Sequence, residues 1–311
     1  MTTTIVSLLP PFLPEDHYEG FKALGKLYFW PELSEDEKKA VADKADILFV
    51  TPQVKVDRAV LDTFPRVKMI ADFGVGFDLA DLSAIKERGI VFTNSPTASS
   101  GDVADFAMTL LLAASRGLVQ AGHRLMKARS TRCGMPFTRR IAGKRLGVAG
   151  LGHIGREIAL RGEGFHMEIG YTNLSAIDVP YRRFNDIKEL AAWCDYLVLA
   201  MPGGKATHHI VNAEVLQALG PEGFLINIGR GSLVDTEALL EALKAGRIAC
   251  AALDVFEGEP QADPRFFECP NLIVTPHVAS GTVEARRDMA NQVIENMAAF
   301  VRGDNPPCRV I

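Results

Sequence analysis

Cysteine is scarce in this chain and poorly placed for chemistry: Cys133, Cys194, Cys250, Cys269 and Cys308 form no C-x-x-C pair. That spacing suggests neither a zinc site nor a disulfide framework and suits a reducing cytoplasm. Long apolar runs are missing too. None reaches the roughly 20 residues that a membrane-spanning helix needs. The opening M-T-T-T-I-V-S-L-L-P-P has neither the basic start nor the long apolar stretch of a secretory leader. Positive charge is not in excess, since 34 Lys and Arg stand against 38 Asp and Glu, a formal net charge of -4. A nucleic acid or an anionic membrane therefore has no bulk electrostatic attraction to the chain. The one basic stretch, 123–145, carries eight Lys and Arg but a single aromatic, Phe137. It reads as a solvated helix end and loop rather than a nucleic-acid site. Internal repeats and low-complexity segments are absent as well. The expectation is a cytoplasmic protein with no nucleic-acid or membrane partner and no metal.

What the chain does have is alternation. At 311 residues it suits two domains. Short β-branched runs at 4–9, 47–51, 67–73, 90–93, 146–150, 168–172, 196–201, 224–228, 251–255 and 272–275 alternate with helical patterns. Continuous apolar runs such as Y-L-V-L-A-M imply strands buried on both faces, hence parallel sheets covered by helices. Ser34-Glu35-Asp36-Glu37 reads as a capping-box start, and Gly89 and Gly246 stand where helices should stop. The fold class expected is α/β, with two doubly wound parallel-sheet domains. Two apolar helices, near 103–118 and 283–301, look like connectors. They divide the chain into a discontinuous domain, 1–98 with 284–311, and an inserted one, 99–283, with a cleft between them.

The inserted domain opens on R-L-G-V-A-G-L-G-H-I-G, a strand running into a Gly-rich turn and a helix start. Gly150 permits the tight turn, Gly152 the close approach of a pyrophosphate, and Gly155 the packing of helix on strand. A helix N-terminus there offers free N–H groups and partial positive charge to phosphates. The next strand then ends in Y-T-N-L-S with no carboxylate to hold the ribose hydroxyls of NAD. Adjacent histidines His208 and His209 point to opposite sides of a strand or helix and have no third ligand at useful spacing, so they read as solvated loop residues.

Five motifs occur in a telling order: F-G-V-G-F-D (73–78), G-L-G-H-I-G (150–155), N-I-G-R-G-S-L-V-D (227–235), L-D-V-F-E-G-E-P (253–260) and T-P-H-V-A-S-G-T (275–282). In this order and spacing the sequence resembles the D-isomer-specific 2-hydroxyacid dehydrogenases over essentially its whole length. It is most similar to their glyoxylate/hydroxypyruvate reductase and hydroxyphenylpyruvate reductase branch. The resemblance implies a Rossmann nucleotide-binding domain, a smaller flavodoxin-like substrate domain, a nicotinamide cofactor in the cleft and a homodimer. It implies reduction of small 2-keto acids, with three catalytic residues. Arg230 matches the residue that holds the substrate carboxylate and carbonyl oxygen, a task suited to a guanidinium fork. His277 matches the proton donor, and Glu259 the acid paired with it; a carboxylate beside an imidazole favours the protonated ring. Glu257, two residues before Glu259, reads as a solvated neighbour. Val75 and Gly76 match a loop whose amides bind substrate carboxylate. Asp254 matches the residue that bonds the nicotinamide carboxamide. Cofactor contacts are further expected at His153, Ile154, Asn173, Leu174, Ser175, Pro202, Ile228 and Ser280.

Departures from the family pattern carry information. P-G-G-K at 202–205 replaces a more usual P-L-T-P loop. The segment 133–137 also differs, so that Met135 or Phe137 is a candidate to shape a substrate pocket across a subunit contact. Thr172 stands where an NAD-preferring relative carries Asp, whose charge would repel a 2′-phosphate. Asn173 and Ser175 can donate to that phosphate, yet Leu174 stands where NADP-preferring relatives often have Arg, which leaves Arg182 or Arg183 to supply the charge. NADPH is expected to be preferred, with NADH possible. An aryl-pyruvate reductase and a nucleotide-sensing corepressor are the competing readings.

Overall fold

The structure is a computed structural model that describes residues 2–132, 134 and 136–311. Met135 and Cys133 thus lie outside the described residues. The chain forms two compact units, Met1–Ser99 with Gly281–Ile311, and Ser100–Ser280. Each has its own parallel sheet.

The first unit contains β1 (Thr3–Ser7), β2 (Gly25–Phe29), β3 (Ile47–Val50), β4 (Met69–Asp72) and β5 (Val91–Thr93), in the order β2-β1-β3-β4-β5. This is the doubly wound order of flavodoxin-type sheets. Four of these strands are evident as apolar runs. β2, G-K-L-Y-F, is not: it lies at the sheet edge, has no fully buried residue, and owes its state to parallel pairing with β1. Ser34 and Glu37 form the reciprocal capping box that starts helix Glu35–Ala42. Helix Val283–Arg302 packs on β4 and buries Met289, Ala290, Val293 and Met297. Its Asn296, with no exposed surface, donates to the Asn94 carbonyl at 3.1 Å and accepts from the Cys308 amide at 2.9 Å. One buried amide thereby ties the end of the chain to the loop after β5, with both polar ends satisfied.

The second unit contains β6 (Arg145–Ala149), β7 (Glu168–Thr172), β8 (Arg182–Arg183), β9 (Tyr196–Leu199), β10 (Phe224–Asn227), β11 (Cys250–Leu253) and β12 (Leu272–Val274). Their order is β12-β11-β10-β9-β6-β7-β8, all parallel. Chain order therefore reverses between β6 and β9, the switch point beside which open α/β sheets bind ligands at the strands' carboxyl ends. β8 is two arginines at an edge; nothing apolar marks it in the sequence, and it forms only by pairing with β7. β9, β10 and β11 are buried at every position, as their unbroken apolar runs require. Helix Ser100–Arg116 covers the sheet with ten buried residues, and the hydroxyl of its Ser115 meets that of Tyr196 at 2.8 Å. No helix of the described residues is long and apolar enough to cross a membrane.

At the end of β6, Gly150 takes a left-handed φ of +95° and donates its N–H to the Thr172 carbonyl at 2.9 Å. Helix His153–Gly164 starts directly after Gly152. A Cβ on Gly155 would collide with the Gly150 carbonyl oxygen and crowd Val148 Cγ1 at 3.3 Å, whereas one on Gly152 would meet nothing within 4 Å. Gly155 is thus required by packing and Gly152 is not. We expect Gly155→Ala to lower stability by about 1–3 kcal/mol, the usual cost of overpacking. Gly152→Ala should leave the urea midpoint of the cofactor-free protein unchanged while weakening dinucleotide binding. Equal midpoints for the two variants would contradict this division.

Candidate functional site

Three segments at the carboxyl ends of β10, β11 and β12 meet in the second unit. The first is shaped by Asn227, which has no exposed surface. Its Oδ1 accepts from the Gly229 amide at 3.0 Å and its Nδ2 donates to the Arg230 carbonyl at 2.9 Å. This one side chain closes the turn that carries Arg230 out of the sheet. The Arg230 Nη1 donates to the Gly229 carbonyl at 2.7 Å, and its aliphatic stem runs against Gly203, where an added Cβ would meet Arg230 Cγ at 3.0 Å. Ile228, on the same turn, is buried.

The second and third segments are joined by Asp254, also with no exposed surface. Its Oδ1 accepts from the Thr275 hydroxyl at 2.6 Å and the Val278 amide at 3.0 Å. Its Oδ2 accepts from the Ala279 amide at 2.9 Å, and its carbonyl from the His277 amide at 2.9 Å. The primary task of Asp254 in the fold is to clasp the 275–279 turn, which continues into Ser280. Oδ2, with a single donor among the described residues, keeps the acceptor capacity that a carboxamide would use.

Within that turn His277 has φ +54°, a left-handed conformation that costs a non-glycine residue about 1–3 kcal/mol. His277 Nδ1 lies 2.7 Å from Glu259 Oε2, and Glu259 Oε1 accepts from the Phe256 amide at 3.0 Å. With a carboxylate as partner, Nδ1 carries the hydrogen, which leaves Nε2 as the atom that holds or gives a second proton. Burial pushes the Glu259 carboxyl up, but the His277 hydrogen bond, the Phe256 amide and the charges of His277 and Arg230 outweigh it and hold it below the usual range. Arg230, Glu259 and His277, expected from separate motifs, are thus brought into one electrostatic unit.

At the nucleotide end, helix His153–Gly164 has no side chain capping its first amides, so these N–H groups and the open side of Gly152 suit an anion. His153 is exposed and Ile154 is half-buried against the core. The loop after β7 is shaped by the Tyr171 hydroxyl, which donates to the Ile177 carbonyl at 3.1 Å. Asn173 Oδ1 accepts from the Leu151 amide at 3.3 Å, linking this loop to the Gly-rich turn, and Asn173 Nδ2 donates to the Ser175 carbonyl at 3.3 Å. Leu174 projects fully into solvent and Thr172 is buried. The 202–205 loop is closed by Thr207, whose hydroxyl donates to the Pro202 carbonyl at 3.0 Å.

The first unit holds Val75 and Gly76 on the loop after β4. Carbonyls there are already used: Gly74 accepts from the Ser95 amide at 2.8 Å and Val75 from Asn94 Nδ2 at 2.8 Å. The Val75 and Gly76 amides donate to no acceptor among the described residues, so they remain available to a carboxylate. Arg286 lies 5.8 Å over the Phe73 ring of this loop, and burial pulls its pKa below the ordinary arginine value. No motif in the sequence singles out Arg286.

Two expectations need correction. Glu257 is not a solvated neighbour: it accepts from His209 Nε2 at 2.7 Å and from the Thr236 hydroxyl at 2.7 Å. His208 and His209 do not point to opposite sides. A left-handed φ of +52° at His209 turns the two rings into a stack with centroids 3.9 Å apart, and a third side chain, Glu257, joins them. Phe137 is fully exposed.

A family profile described as D-isomer specific 2-hydroxyacid dehydrogenase, NAD binding domain, matches residues 108–279. The chain is 36% identical over 311 residues to a glyoxylate reductase of Thermococcus kodakarensis, covering 96% of this chain and 93% of that protein. It is 40% identical over 248 residues to a hydroxyphenylpyruvate reductase of Plectranthus scutellarioides, covering 79% of each. Among solved structures, it resembles an NADPH-dependent glyoxylate/hydroxypyruvate reductase of Sinorhizobium meliloti in complex with NADP and malonate. The TM-score is 0.90 at 33% identity, covering 100% of this chain and 97% of that one.

The depressed Glu259 carboxyl makes a pH prediction. Its folded pKa lies below its unfolded value of about 4.3, so the stabilisation is fully present above that pH and is lost as pH falls through the folded value. Urea midpoints of the wild type should therefore fall more steeply than those of Glu259→Gln between about pH 5 and pH 3. Parallel curves would contradict the assignment.

Proposed function

Since the chain belongs to the D-isomer-specific 2-hydroxyacid dehydrogenase family, whose members are NAD(P)-dependent oxidoreductases, we propose that it reduces the small 2-keto acids glyoxylate and hydroxypyruvate to 2-hydroxy acids with NADPH. The observation that carries this reading is the His277–Glu259 pair at 2.7 Å with the Arg230 charge beside it. The nicotinamide, when bound, supplies hydride to the carbonyl carbon. Arg230 holds the substrate carboxylate and the carbonyl oxygen on which negative charge develops, through charge-assisted hydrogen bonds. His277 Nε2 gives its proton to that oxygen, and Glu259 stabilises the imidazolium from which it comes. Charge and atoms balance: one hydride and one proton convert the carbonyl to an alcohol, and His277 is reprotonated from water. Val75 and Gly76 are the carboxylate donors proposed from the first unit, and Asp254 Oδ2 the acceptor for the carboxamide.

The preference for NADPH is supported by the end of β7 and the start of its loop, Thr172, Asn173, Leu174 and Ser175, which place no carboxylate there to repel a 2′-phosphate. The cation for that phosphate is proposed to be Arg183. Arg183 Nη2 lies 3.4 Å from the Asn173 carbonyl, on that loop, whereas Arg182 is held over the rings of Phe184 and Trp193 at 4.7 and 5.9 Å. A homodimer is the proposed assembly. Helix Leu118–Ala128 buries none of its residues and exposes Leu118, Val119, Leu125 and Met126, an apolar face of the kind that partners cover.

The aryl-pyruvate reading has behind it the 40% identity to a hydroxyphenylpyruvate reductase, a likeness equalled by the 40% identity to a glyoxylate/hydroxypyruvate reductase of Arabidopsis thaliana. A steady-state matrix of glyoxylate, hydroxypyruvate, pyruvate and hydroxyphenylpyruvate against NADH and NADPH decides between the two. The expected result is the highest kcat/KM with the small keto acids and NADPH; a higher value with NADH would overturn the cofactor assignment. Arg183→Gln should raise the NADPH KM about tenfold or more, the worth of a lost charge-assisted hydrogen bond, and leave the NADH KM unchanged. His277→Ala should lower kcat by about 10²–10⁴ with NADPH affinity nearly intact. Lost affinity with surviving turnover would sink the proton-donor role.

A further inference from the structure

We propose that Glu257 and His209 form a positioning pair that fixes the Glu259 carboxylate in place for His277. This rests on the reading of Glu259 and His277 as the acid pair of the reduction.

The two residues join three segments of the second unit. His209 donates its amide to the Ser232 carbonyl at 2.8 Å, next to the turn that carries Arg230. Its left-handed φ of +52° aims the ring at the 254–260 segment, where Nε2 meets Glu257 Oε1 at 2.7 Å. The other carboxylate oxygen, Oε2, accepts from the Thr236 hydroxyl at 2.7 Å and the Thr236 amide at 3.3 Å. Thr236 opens helix Thr236–Lys244, so the carboxylate also faces the positive end of a helix dipole. Burial pushes the Glu257 carboxyl up, yet the Thr236 and His209 hydrogen bonds bring it below the usual range. Glu257 is therefore a held anion.

What it holds is the Phe256–Glu257 peptide. A Cβ on Gly231 would collide with the Phe256 carbonyl and the Glu257 nitrogen, so this peptide is pressed against the segment that follows Arg230. The Phe256 ring, buried, packs edge-on to Phe266 at 5.7 Å. From this fixed backbone the Phe256 amide donates to Glu259 Oε1 at 3.0 Å, which leaves Oε2 directed at His277 Nδ1 at 2.7 Å. The line of contacts runs from His209 through Glu257 and the Phe256 amide to Glu259.

A bound metal is a different explanation of the same cluster, because ligand atoms of His208, His209 and Glu257 lie within 4.8 Å of one another. Two ligands about 2.0 Å from a tetrahedral zinc stand about 3.3 Å apart. The observed 2.7 Å between His209 and Glu257 is shorter, and is the length of a hydrogen bond.

The test is a mutant cycle read with saturating NADPH and whichever keto acid the wild type turns over fastest. Glu257→Ala should lower kcat at least about tenfold, while KM for NADPH stays near wild type. Glu257→Gln should recover most of that loss, because an amide still accepts from Thr236 and can donate to His209. If Glu257 acts through Glu259, the double variant Glu257→Ala/Glu259→Gln should be no slower than Glu259→Gln alone. Multiplying losses in the double variant, or wild-type kcat in Glu257→Ala, would overturn the proposal. Should Glu257→Ala not fold, His209→Ala takes its place in the same cycle with the same outcomes. Wild-type turnover in Glu259→Gln would remove both this inference and the catalytic reading beneath it.

Discussion

Asp254 is an acid with no exposed surface at the carboxyl end of β11, a position tolerable only because its oxygens are matched to donors. The Thr275 hydroxyl and the Val278 and Ala279 amides fill that need, and all three belong to the turn after β12. The consequence reaches beyond the hydrogen bonds. To bring Val278 and Ala279 amides onto one carboxylate, the chain must fold back at His277, and it does so through a left-handed conformation at that residue. The strained histidine is thus a by-product of satisfying a buried charge, and the strain is sustained because the surrounding bonds over-determine the turn.

From that clasp the remaining geometry follows. β10 and β11 are paired in register, Asn227 beside Leu253, so the turn that presents Arg230 and the segment that begins at Asp254 leave the sheet side by side. Gly231 allows them to touch. The 254–260 segment then carries two carboxylates with separate imidazole partners, Glu257 with His209 and Glu259 with His277. Burial alone would favour their neutral forms. In both, the hydrogen bonds win, and both acids are held below the usual range. Dense donors around half-buried anions make this edge of the sheet a rigid, polarised surface of the kind that electrostatic catalysis requires.

The nucleotide end uses the same economy of backbone. The sheet's reversal between β6 and β9 opens a place at the strand ends, the Gly-rich turn keeps it free of side chains, and the uncapped helix start supplies N–H groups. Phosphate binding at such a site is encoded by backbone. Discrimination between dinucleotides is proposed to fall to side chains on the loop after β7 and the short strand β8 beside it.

Much of this was legible in the sequence, for a physical reason. Strands buried on both faces must be apolar throughout, so ten of the twelve strands among the described residues announce themselves as runs, and Gly residues in tight turns have few substitutes. The motifs around Arg230, Asp254, Glu259 and His277 are local, and local spacing survives folding. The edge strands β2 and β8 were not legible, because an edge strand needs no continuous apolar run and takes its state from a neighbour distant in sequence. The histidine pair departs from the alternation rule for a similar reason. Side chains alternate in direction only on regular backbone, and a left-handed residue at 209, held by the Ser232 carbonyl, reversed the rule. The sequence by itself determined which groups are chemically competent. Only the tertiary structure decided that the neighbouring acid, Glu257, meets His209 and Thr236, because that contact depends on the register of three loops whose sequence separation exceeds any local signal.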